Sequence, residues 1–321
     1  MRERSALTLV IPTYNGCDLL RDCLASLDAQ TFADFEVLIV DDGSEEDIES
    51  FAAAEFPNAR VIRLSQNMGF ASAVNSGLRE IRTDFVMLLN NDMTLEAKCI
   101  EKLMNALKEE PAAMVAPLVL WKDDPETIYS AGDRIRRNGR PEGIGFRCPR
   151  EGFDFSEPVF GVSAGAAVYR REVFTKCGLL DERFVAYFED ADLSFRARLA
   201  GFEAACVPDA VAYHVGSASQ HGKTWWRSRQ CYRNHALLVL KNMPLALLIR
   251  YGPRLFREHL HQARMLLSSA RGEFGLARAL FEWVRAWVEM VELLPHALGA
   301  RWHGMRTRAI SDHDLDELLA P

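Results

Sequence analysis

The segment LLNNDMT, residues 88–94, contains residue types that bind metal ions, but few of them. An apolar run ends there at two asparagines and Asp92. Hard cations such as Mg²⁺ prefer carboxylate oxygens and often take only one or two of them, while substrate phosphates and water complete the coordination. Asp92 therefore predicts a site that binds a divalent metal weakly until a phosphate-bearing ligand is present.

A second acidic cluster, formed by Glu189, Asp190 and Asp192, follows two aromatic residues. A position in the first turn of a helix would favour these negative charges, and Asp192 would then form a surface ion pair with Arg196 one turn later. This explanation serves Asp192 better than the other two residues. An acidic pair directly after an aromatic run is partly desolvated, which raises the pKa of a carboxyl group and suits it to proton transfer.

Four short apolar segments without polar alternation predict strands that are covered on both faces, at residues 7–11, 37–40, 61–64 and 85–89. Segments with helical spacing lie between them, so the order of elements predicts a doubly wound, mostly parallel α/β sheet. Ligands bind such sheets at the carboxyl ends of the strands. All four ends are polar in this sequence: PTYN (12–15), DDGS (41–44), NMGF (67–70) and NND (90–92).

The rest of the chain divides by composition. Residues 121–158 are rich in Gly, Pro and charge, and predict a long irregular excursion or a β-ribbon. A helix is predicted over residues 190–199, ended by Gly201. The net charge is −7, yet residues 222–310 carry 15 basic and 5 acidic side chains in a pattern of long helices. Such a basic tail suggests contact with nucleic acid or with an anionic lipid surface.

The start of this tail combines arginine with tryptophan. Arg227, Arg229 and the pair Arg233-Asn234 lie beside two tryptophans. The mixture suits a nucleic-acid patch, a membrane-interface anchor or a diphosphate clamp, which would use the bidentate geometry of arginine. Farther along, one helical face is apolar and predicts either packing on neighbouring helices or contact with anionic lipid: Leu280, Trp283, Val284, Trp287, Val288, Val291 and Leu294.

The cysteines and apolar stretches bear on the compartment. Seven scattered cysteines without CxxC or Cys/His ligand spacing predict reduced thiols in a cytosolic protein. The N-terminal apolar run of about five residues is shorter than the apolar region of a secretory signal, about 7–15 residues. The longest apolar stretch, residues 236–249, contains Lys241 and Pro244 and falls short of the roughly 20 residues that a membrane span needs. We expect a cytoplasmic location, with peripheral contact at the inner face of the cell membrane as an option.

Five motifs, taken in order, resemble the nucleotide-sugar-binding half of family 2 glycosyltransferases, which have the GT-A fold. They are VIPTYNG (10–16), IVDDGS (39–44), NMGFASAVNSGL (67–78), LLNND (88–92) and GLLDERFVAYFEDADLSFRARLAGF (178–202). The resemblance implies an inverting, metal-dependent glycosyltransferase with a Rossmann-like sheet. It implies a GT-A domain at residues 1–221, with a donor half at about 1–95 and an acceptor and catalytic half at about 96–221. A basic, amphipathic helical extension would follow at residues 222–321.

The resemblance also implies roles for single residues. Asp190 would be the general base that takes a proton from the acceptor hydroxyl, supported by Glu189 and Asp192. Asp92 would bind Mg²⁺ or Mn²⁺ that bridges to the donor diphosphate, and His214 would complete this metal site. The nucleotide sugar would contact a larger set of residues: Pro12, Thr13, Tyr14, Asn15, Asp42, Asn67, Gly69, Phe70, Asn75, Asn91, Asp92 and Arg233.

Structural explanations of the same residues stay open at this point. Tyr14 also fits a half-buried aromatic at the start of a helix that Asn15 or Asp18 caps. Asp42 fits a type I turn with the glycine that follows it. Asn75 fits a surface position on a helix, and His214 fits a hydrogen-bonded core or surface residue.

At the level of substrates, the NND form and the basic tail are similar to rhamnosyl and related transferases of bacterial cell-envelope polysaccharide assembly. This similarity implies a dTDP-rhamnose or UDP-sugar donor and a glycan or polyprenyl-diphosphate-linked acceptor. The basic, amphipathic tail adds contact of the C-terminal helices with an anionic membrane as an option, and a homo-oligomer is a further option. Two other classes remain as alternatives. A catalytically silent nucleotide-sugar-binding module has no need of the pair 189–190, and a nucleic-acid-binding protein, the less favoured of the two, would bind with steep salt dependence.

Overall fold

The computed structural model describes residues 5–109, 111–216 and 224–321 of the chain. A nine-stranded sheet lies at its centre, and the four strands predicted from the apolar segments form one side of it, all parallel. In chain order these strands, β1 to β4, are Leu7–Thr13, Phe35–Asp41, Arg60–Arg63 and Phe85–Leu89. They lie in the order β3-β2-β1-β4, which confirms the predicted parallel α/β arrangement for this side.

The other side of the sheet is mixed. The strand β10 (Ala166–Arg170) is antiparallel to both β4 and β6 (Met114–Trp121), and β11 (Ala204–His214) runs parallel to β6. Two short strands pair antiparallel with β11 and β6, respectively: β5 (Met93–Leu95) and β7 (Ile128–Ser130).

Six helices flank the sheet: α1 (Cys17–Asp28), α2 (Ile48–Glu55), α3 (Phe70–Glu80), α4 (Cys99–Glu109), α5 (Arg171–Cys177) and α6 (Glu189–Leu199). Alternate residues of β1 pack on opposite sides, with Leu9 in the apolar cluster that contains α1 and α4, and Val10 in the cluster that contains α3. Because both faces of β1 are buried, its sequence shows no polar alternation. All seven cysteines are free thiols, as predicted.

Residues 121–158 confirm the predicted β-ribbon. After β7, two short strands, β8 (Asp133–Ile135) and β9 (Pro141–Gly143), pair antiparallel in a separate two-stranded sheet. The backbone N–H of Asp133 donates to the carbonyl of Gly161 at 2.9 Å. This bond fixes the ribbon beside the segment that leads into β10.

Helices make up the chain from residue 224 onwards, as the Arg-rich pattern predicts: α7 (Thr224–Asn242), α8 (Leu245–Phe274), α9 (Leu276–Thr307) and α10 (Asp312–Leu318). An apolar cluster joins α7 to the sheet domain; it contains Leu238 of α7 and Phe195 of α6. The predicted boundary at residues 221–222 lies outside the described residues. Within the described ranges, no helix combines the length and the apolarity that crossing a membrane requires.

The apolar face predicted on α9 is not the face that α9 buries. The fully buried positions include Ala279, Glu282 and Ala286, on the side of α7 and α8. Five of the predicted residues are instead between 46% and 51% exposed: Leu280, Val284, Trp287, Val288 and Val291. The interpretation that this face packs on neighbouring helices is therefore wrong for these five residues.

Candidate active site

The polar ends of β1, β2 and β4 meet at one edge of the sheet. Thr13, the last residue of β1, accepts a hydrogen bond on Oγ1 from Asn91 Nδ2 at 2.9 Å. The backbone N–H of Asn15 donates to Ser44 Oγ at 2.7 Å, and Asn15 Oδ1 accepts from the N–H of Glu45 at 2.9 Å. The loops after three strands therefore form one continuous surface, where ligands bind in sheets of this kind.

The loop after β1 presents an aromatic ring to solvent. Tyr14 is 47% exposed, whereas Pro12 is buried beneath it in the strand. The helix α1 has Gly16 at its N-cap, and the first-turn N–H of Cys17 donates to Glu46 Oε2 at 2.9 Å, not to Asn15 or Asp18. The alternative in which Asn15 caps α1 is wrong, and the exposed Tyr14 ring is accessible to a planar ligand.

Asp42 holds the NMGF loop against the end of β2. Its Oδ1 accepts from the N–H of Met68 at 2.7 Å and its Oδ2 from the N–H of Gly69 at 2.9 Å. Burial raises the pKa of Asp42, and these two N–H groups oppose the rise. Asn67 Oδ1 accepts from the same Gly69 N–H at 3.2 Å. Gly69 has a φ of 88°, and an added Cβ would lie 3.2 Å from the carbonyl oxygen of Val185, so glycine lets this second segment approach closely.

The helix α3 begins at the half-buried Phe70 and directs Asn75 away from the strand ends. Asn75 is 2% exposed; its Nδ2 donates to Leu180 O and Glu182 Oε1, both at 2.9 Å, and its Oδ1 accepts from the Leu180 N–H at 3.0 Å. The surface alternative for Asn75 is wrong. Because its amide is engaged with residues 180–182, Asn75 positions that segment and is not placed to contact a donor.

Asp92 and His214 lie side by side. The pairing of β5 with β11 sets Met93 opposite His214, and His214 Nε2 is 3.2 Å from Asp92 Oδ2. The edge of the Tyr129 ring packs on the imidazole with centroids 4.3 Å apart. Asp92 Oδ1 and His214 Nδ1 are buried and have no hydrogen-bond partner among the described residues.

The chemistry of this pair fits a divalent metal. Two neighbouring ligands in an octahedral Mg²⁺ site, each about 2.1 Å from the ion, lie about 3.0 Å apart, close to the observed separation of the two side chains. A buried carboxylate oxygen without a partner is a natural ligand. In the described part of the chain, no group of three or more His, Cys, Asp or Glu side chains is arranged to hold a metal. With Asp92 and His214 as its two protein ligands, such an ion would take phosphate and water at its other positions.

Asp190 lies in the first turn of α6, where backbone N–H groups surround its carboxylate. Oδ1 accepts from the Ala191 N–H at 2.8 Å; Oδ2 accepts from the Ala164 N–H at 3.3 Å and from Ser163 Oγ at 3.2 Å. Burial raises the pKa of Asp190, and these donors oppose the rise. A carboxylate held in this way is oriented and has a raised pKa, as a general base requires.

Glu189 differs sharply from its neighbour. It is 7% exposed, and its buried Oε2 accepts no hydrogen bond from the described residues. Burial, with a smaller contribution from the charge of Asp190, raises the pKa of Glu189 to about 8. Glu189 therefore keeps its proton at neutral pH.

Asp192 forms the predicted ion pair with Arg196, but its carboxylate is buried. The prediction that the pair lies on the surface is wrong. The two side chains do pair at 2.8 Å, but Asp192 is fully buried and also accepts from Lys241 Nζ at 2.9 Å and from Asn242 Nδ2 at 2.7 Å. Burial would raise the pKa of Asp192, and the two cations outweigh it and lower the pKa. Its role is structural, because it ties α6 to α7.

Comparison with known proteins decides the family. The family model described as Glycosyl transferase family 2 matches residues 8–178 of the chain. The chain belongs to glycosyl transferase family 2. The N-acetylglucosaminyl-diphospho-decaprenol L-rhamnosyltransferase of Mycobacterium tuberculosis is 29% identical to this glycosyltransferase over 233 residues, which are 65% of this chain and 75% of the relative. O-antigen biosynthesis protein RfbC of Myxococcus xanthus is 26% identical over 251 residues, 73% of this chain and 19% of the relative.

Solved structures confirm the GT-A fold. GalNAc-T7, crystallised with UDP, GalNAc and Mn²⁺, superposes with a TM-score of 0.62 at 14% identity, over 82% of this chain and 52% of that one. S. aureus TarS, residues 1–349, superposes with a TM-score of 0.55 at 16% identity, over 97% of this chain and 91% of that one. At these identities the likeness concerns the fold alone.

The segment that leads into Asp190, residues 184–190, is called the catalytic segment here. The glycosyltransferase holds it in a strained conformation. Val185, Tyr187 and Phe188, directly before Glu189, have positive φ angles of 65°, 67° and 73°. Such angles cost free energy in non-glycine residues and persist only where other contacts impose them. Asn234 of α7, which is fully buried, provides these contacts, because its Nδ2 donates at 2.7 to 2.9 Å to three carbonyls: Phe184, Ala186 and Tyr187.

Arg233 lies behind the catalytic segment and not at the strand ends. It is 7% exposed, and its guanidinium donates to the carbonyls of Arg183 at 2.6 Å and Phe184 at 2.9 Å. Glu289 of α9 lies 3.6 Å from it. Because its guanidinium is engaged with these carbonyls, Arg233 is not placed to contact the donor diphosphate as predicted. It positions residues 183–184, as Asn234 positions residues 184–187.

Asp133 is a residue of the glycosyltransferase site that sequence reasoning missed. Burial and the nearby charge of Asp190 raise the pKa of Asp133 well above its ordinary value. Ser130 Oγ lies 3.4 Å from its Oδ1. The chain brings Asp133 to Asp190 through the β-ribbon, and the only sequence signal was a single Asp after a glycine.

Proposed function

We propose that this glycosyltransferase inverts the anomeric configuration and uses Asp190 as general base. In this reaction the acceptor hydroxyl gives its proton to Asp190 and attacks the anomeric carbon from the face opposite the departing nucleoside diphosphate. One observation carries the proposal. The Ala164 N–H donates to Asp190, and the next residue, Gly165, accepts from the Asn90 N–H at 2.8 Å, so the base and the LLNND segment share one hydrogen-bonded surface.

The donor would lie across the loops that follow β1 to β4. Tyr14 offers a ring for stacking on the base, and the NMGF backbone, fixed by Asp42, approaches the same edge. Asn91 and Thr13 join the β1 and β4 loops at 2.9 Å beside it. We infer that these residues bind a nucleotide diphosphate sugar.

Asp92 and His214 would hold the metal, Mg²⁺ or Mn²⁺. When bound, such an ion neutralises the charge that develops on the departing diphosphate. Because the protein offers two ligands, we expect Asp92→Ala to remove the Mn²⁺-dependent part of donor binding in titration calorimetry, whereas Asp84→Ala, at the opposite end of β4, should retain it. Donor binding by the unmodified protein that is equal with and without Mn²⁺ would count against this site.

The substrates follow by analogy with the relatives. The mycobacterial relative bears the name of a rhamnosyltransferase that acts on a decaprenyl-diphosphate-linked sugar, and the myxobacterial one is named for O-antigen biosynthesis. We therefore infer a dTDP-rhamnose donor, with a UDP-sugar as the alternative, and a glycan or polyprenyl-diphosphate-linked acceptor in cell-envelope polysaccharide synthesis. The reaction would take place at the cytoplasmic face of the membrane.

The decisive experiment is a panel of sugar nucleotides scored by release of the nucleoside diphosphate, with and without a lipid-linked acceptor. General base catalysis is worth about 10²- to 10⁴-fold, so Asp190→Asn should lower kcat by that factor and leave the Kd for the donor nearly unchanged. The control is Asp84→Asn, which replaces an exposed carboxylate at the far end of the sheet. Its kcat should equal that of the unmodified protein. Full turnover in Asp190→Asn would overturn the assignment.

A further inference from the structure

The outward face of α9 is apolar, although the face that packs against α7 carries charge. Glu282 is fully buried and lies 3.5 Å from the buried Arg229 of α7. The outward residues recur every three or four positions and form what we call the apolar stripe: Leu280, Val284, Trp287, Val288, Val291, Leu298 and Trp302. A surface helix normally turns its polar face to water, so the stripe indicates a surface that faces something other than water.

The partner helix α8 also exposes apolar side chains. Its outward positions also carry large apolar side chains: Leu245, Ile249, Phe256, Leu260, Met265 and Phe274. The two helices are joined at Gly275, next to which Phe274 and Leu276 are 48% and 58% exposed. The stripe from Leu280 to Trp302 spans about 33 Å at 1.5 Å per residue.

The charges around the stripe are mostly positive. On α8 and α9, exposed glutamates occur at two positions, Glu273 and Glu292, because Glu258 and Glu282 are buried and Glu289 is partly buried. Exposed arginines occur at eight positions: Arg250, Arg254, Arg257, Arg264, Arg271, Arg278, Arg285 and Arg306. A second copy of the chain would bring these arginines together in a two-fold contact, whereas an anionic surface neutralises them.

The turn between α8 and α9 lies close to the catalytic segment. The ring of Phe274 packs on Trp225 of α7 with centroids 5.5 Å apart, and the neighbouring Trp226 lies 6.1 Å from Tyr187. Tyr187 directly precedes Phe188 and Glu189 in the chain. A surface that contacts this turn is therefore next to the site where an acceptor must reach Asp190.

An apolar cavity of about 180 Å³ opens between α7, α8 and α9. Trp287 and Val291 of the stripe line it together with Leu240 and Met290. His259 also lines it, and burial lowers the pKa of this imidazole to about 4, so it is uncharged at neutral pH. The cavity therefore offers an apolar recess directly beside the stripe.

We propose that α8 and α9 form a hairpin that docks on an anionic membrane surface. The apolar stripe lies at the boundary of the acyl chains, the arginines contact the lipid head groups, and the recess takes the end of one lipid chain. This docking brings a lipid-linked acceptor to Asp190. The delivery of acceptor rests on the proposed function, whereas membrane binding stands without it.

Vesicle sedimentation tests the docking. The full chain should bind phosphatidylglycerol vesicles at least tenfold more tightly than phosphatidylcholine vesicles. The triple variant Val284→Ser, Trp287→Ser, Val291→Ser removes apolar contacts at exposed positions and should lose at least tenfold in binding to both. The double variant Arg264→Gln, Arg271→Gln should lose about fivefold per arginine on the anionic vesicles alone.

A matched control and a separate activity assay complete the test. The double variant Arg60→Gln, Arg82→Gln removes two exposed arginines outside the helical region and should bind vesicles as the unmodified protein does. Nucleoside diphosphate release with a water-soluble acceptor should be unchanged in the triple variant, so loss of docking and failure of the proposed function give different results. Equal sedimentation of the unmodified chain and the triple variant would overturn the proposal. A dimer in solution that the triple variant converts to monomers would assign the stripe to a second copy and overturn it as well.

Discussion

Glu189 and Asp190 are adjacent in the chain, yet their environments separate their charge states. Asp190 accepts bonds from the N–H groups of Ala164 and Ala191, which stabilise its anion. The buried Oε2 of Glu189 receives no such bond within the described structure. Burial raises the pKa values of both carboxyl groups, and more hydrogen-bond donors oppose the rise at Asp190 than at Glu189. Unequal environments of this kind divide roles in acid–base sites. We infer that Glu189 stays neutral so that Asp190 carries the only charge of the pair.

The raised pKa of Glu189 makes folding stability depend on pH. Its ordinary pKa is 4.5 and its pKa in the folded chain is about 8. Below 4.5 both states are protonated, and between 4.5 and 8 the unfolded chain releases a proton that the folded chain keeps, so stability falls as pH rises. We expect Glu189→Gln to remove the contribution of Glu189 to this fall, on the order of a few kcal/mol at roughly 1.36 kcal/mol per pKa unit. The raised pKa values of Asp133 and Asp190 keep the rest of the fall. Urea unfolding at pH 5 and pH 8.5 measures it.

The control for this prediction is Glu151→Gln, which removes an exposed glutamate and should leave the pH dependence intact. If the unmodified protein and Glu189→Gln lose stability in parallel between pH 5 and pH 8.5, Glu189 is ionised in the folded chain. The division of charge between residues 189 and 190 would then be wrong.

Single residues also mark what the sequence could not reveal. Asp42, Asp92 and Asp190 were placed at the site from motif order alone, and the structure brings all three to the same edge of the sheet. The sequence predicts Asn75 at the donor or on a helix surface and Asp192 in a surface ion pair, and it misses their buried contacts because the partners lie far along the chain. Asn75 pairs with residues 180–182, and Asp192 with Lys241, 49 positions away. Local spacing carries no information about such contacts.

At the scale of elements, α7 fixes the geometry of the catalytic segment. Three residues in left-handed conformation precede Glu189, and Asn234 satisfies three carbonyls around them. The segment also meets the NMGF loop at Gly69. A helix from outside the predicted catalytic domain therefore sets the position of Asp190, the proposed general base, relative to the loops after β1 to β4.

We expect Asn234→Ala to lower kcat by about 10- to 100-fold with the KM for the donor changed less than twofold, because a base displaced by about 1 Å loses roughly that factor. The donor loops are fixed by other bonds, such as those of Asp42. Steady-state kinetics with both substrates measure the split. Asn234→Gln, which keeps an amide, should recover part of the kcat.

The matched control is Asn138→Ala, which removes a partly buried asparagine that binds Glu258 on α8, away from the catalytic segment. It should lower stability to a similar degree and leave kcat intact. Equal kcat losses in both variants would mean that Asn234 acts only through general stability.

The elements themselves were predictable to different degrees. Strands β1 to β4 and helix α6 follow from apolar runs and the acidic first turn, within two residues of the observed bounds. The strained turn at residues 185–188 was not predictable, since none of its residues is glycine and its conformation depends on Asn234. The orientation of α9 was not predictable either, because its amphipathic pattern does not specify which face meets α7.

At the scale of the molecule, a buried ionic cluster joins the sheet domain to the helical region. Lys241 of α7 donates to Asp181 at 2.7 Å and to Asp192 at 2.9 Å, and His296 of α9 lies 2.7 Å from the same Asp181 oxygen. Burial would raise the pKa values of both aspartates, but Lys241 lowers them. The two parts of the chain are therefore coupled by charge as well as by apolar packing.

Removal of the cation from this cluster gives a prediction with a defined pH dependence. Lys241→Met leaves two buried carboxylates without their shared cation and should lower the free energy of unfolding by about 3–5 kcal/mol at pH 7. In the unmodified chain both pKa values are depressed, so this contribution is present above the ordinary value of 3.8 and is lost as pH falls through the folded values. In Lys241→Met, burial without the shared cation raises the pKa values of both aspartates, so they take up protons before the pH reaches 3.8 and the difference between the two proteins already shrinks toward pH 4.5. Urea unfolding at pH 7 and pH 4.5 measures it.

The control variant is Lys176→Met, which removes a lysine paired with Glu172 on the exposed surface of α5. It differs from Lys241→Met in that its ion pair is exposed and not buried. An exposed pair contributes about 0–1 kcal/mol, so this variant should unfold almost as the unmodified protein does at both pH values. If Lys241→Met costs no more than Lys176→Met, the cluster does not couple the helical region to the sheet domain. If the larger loss is found at pH 7 and fades at pH 4.5, the charged contact between α7 and the start of α6 is a principal link between the helical region and the sheet domain.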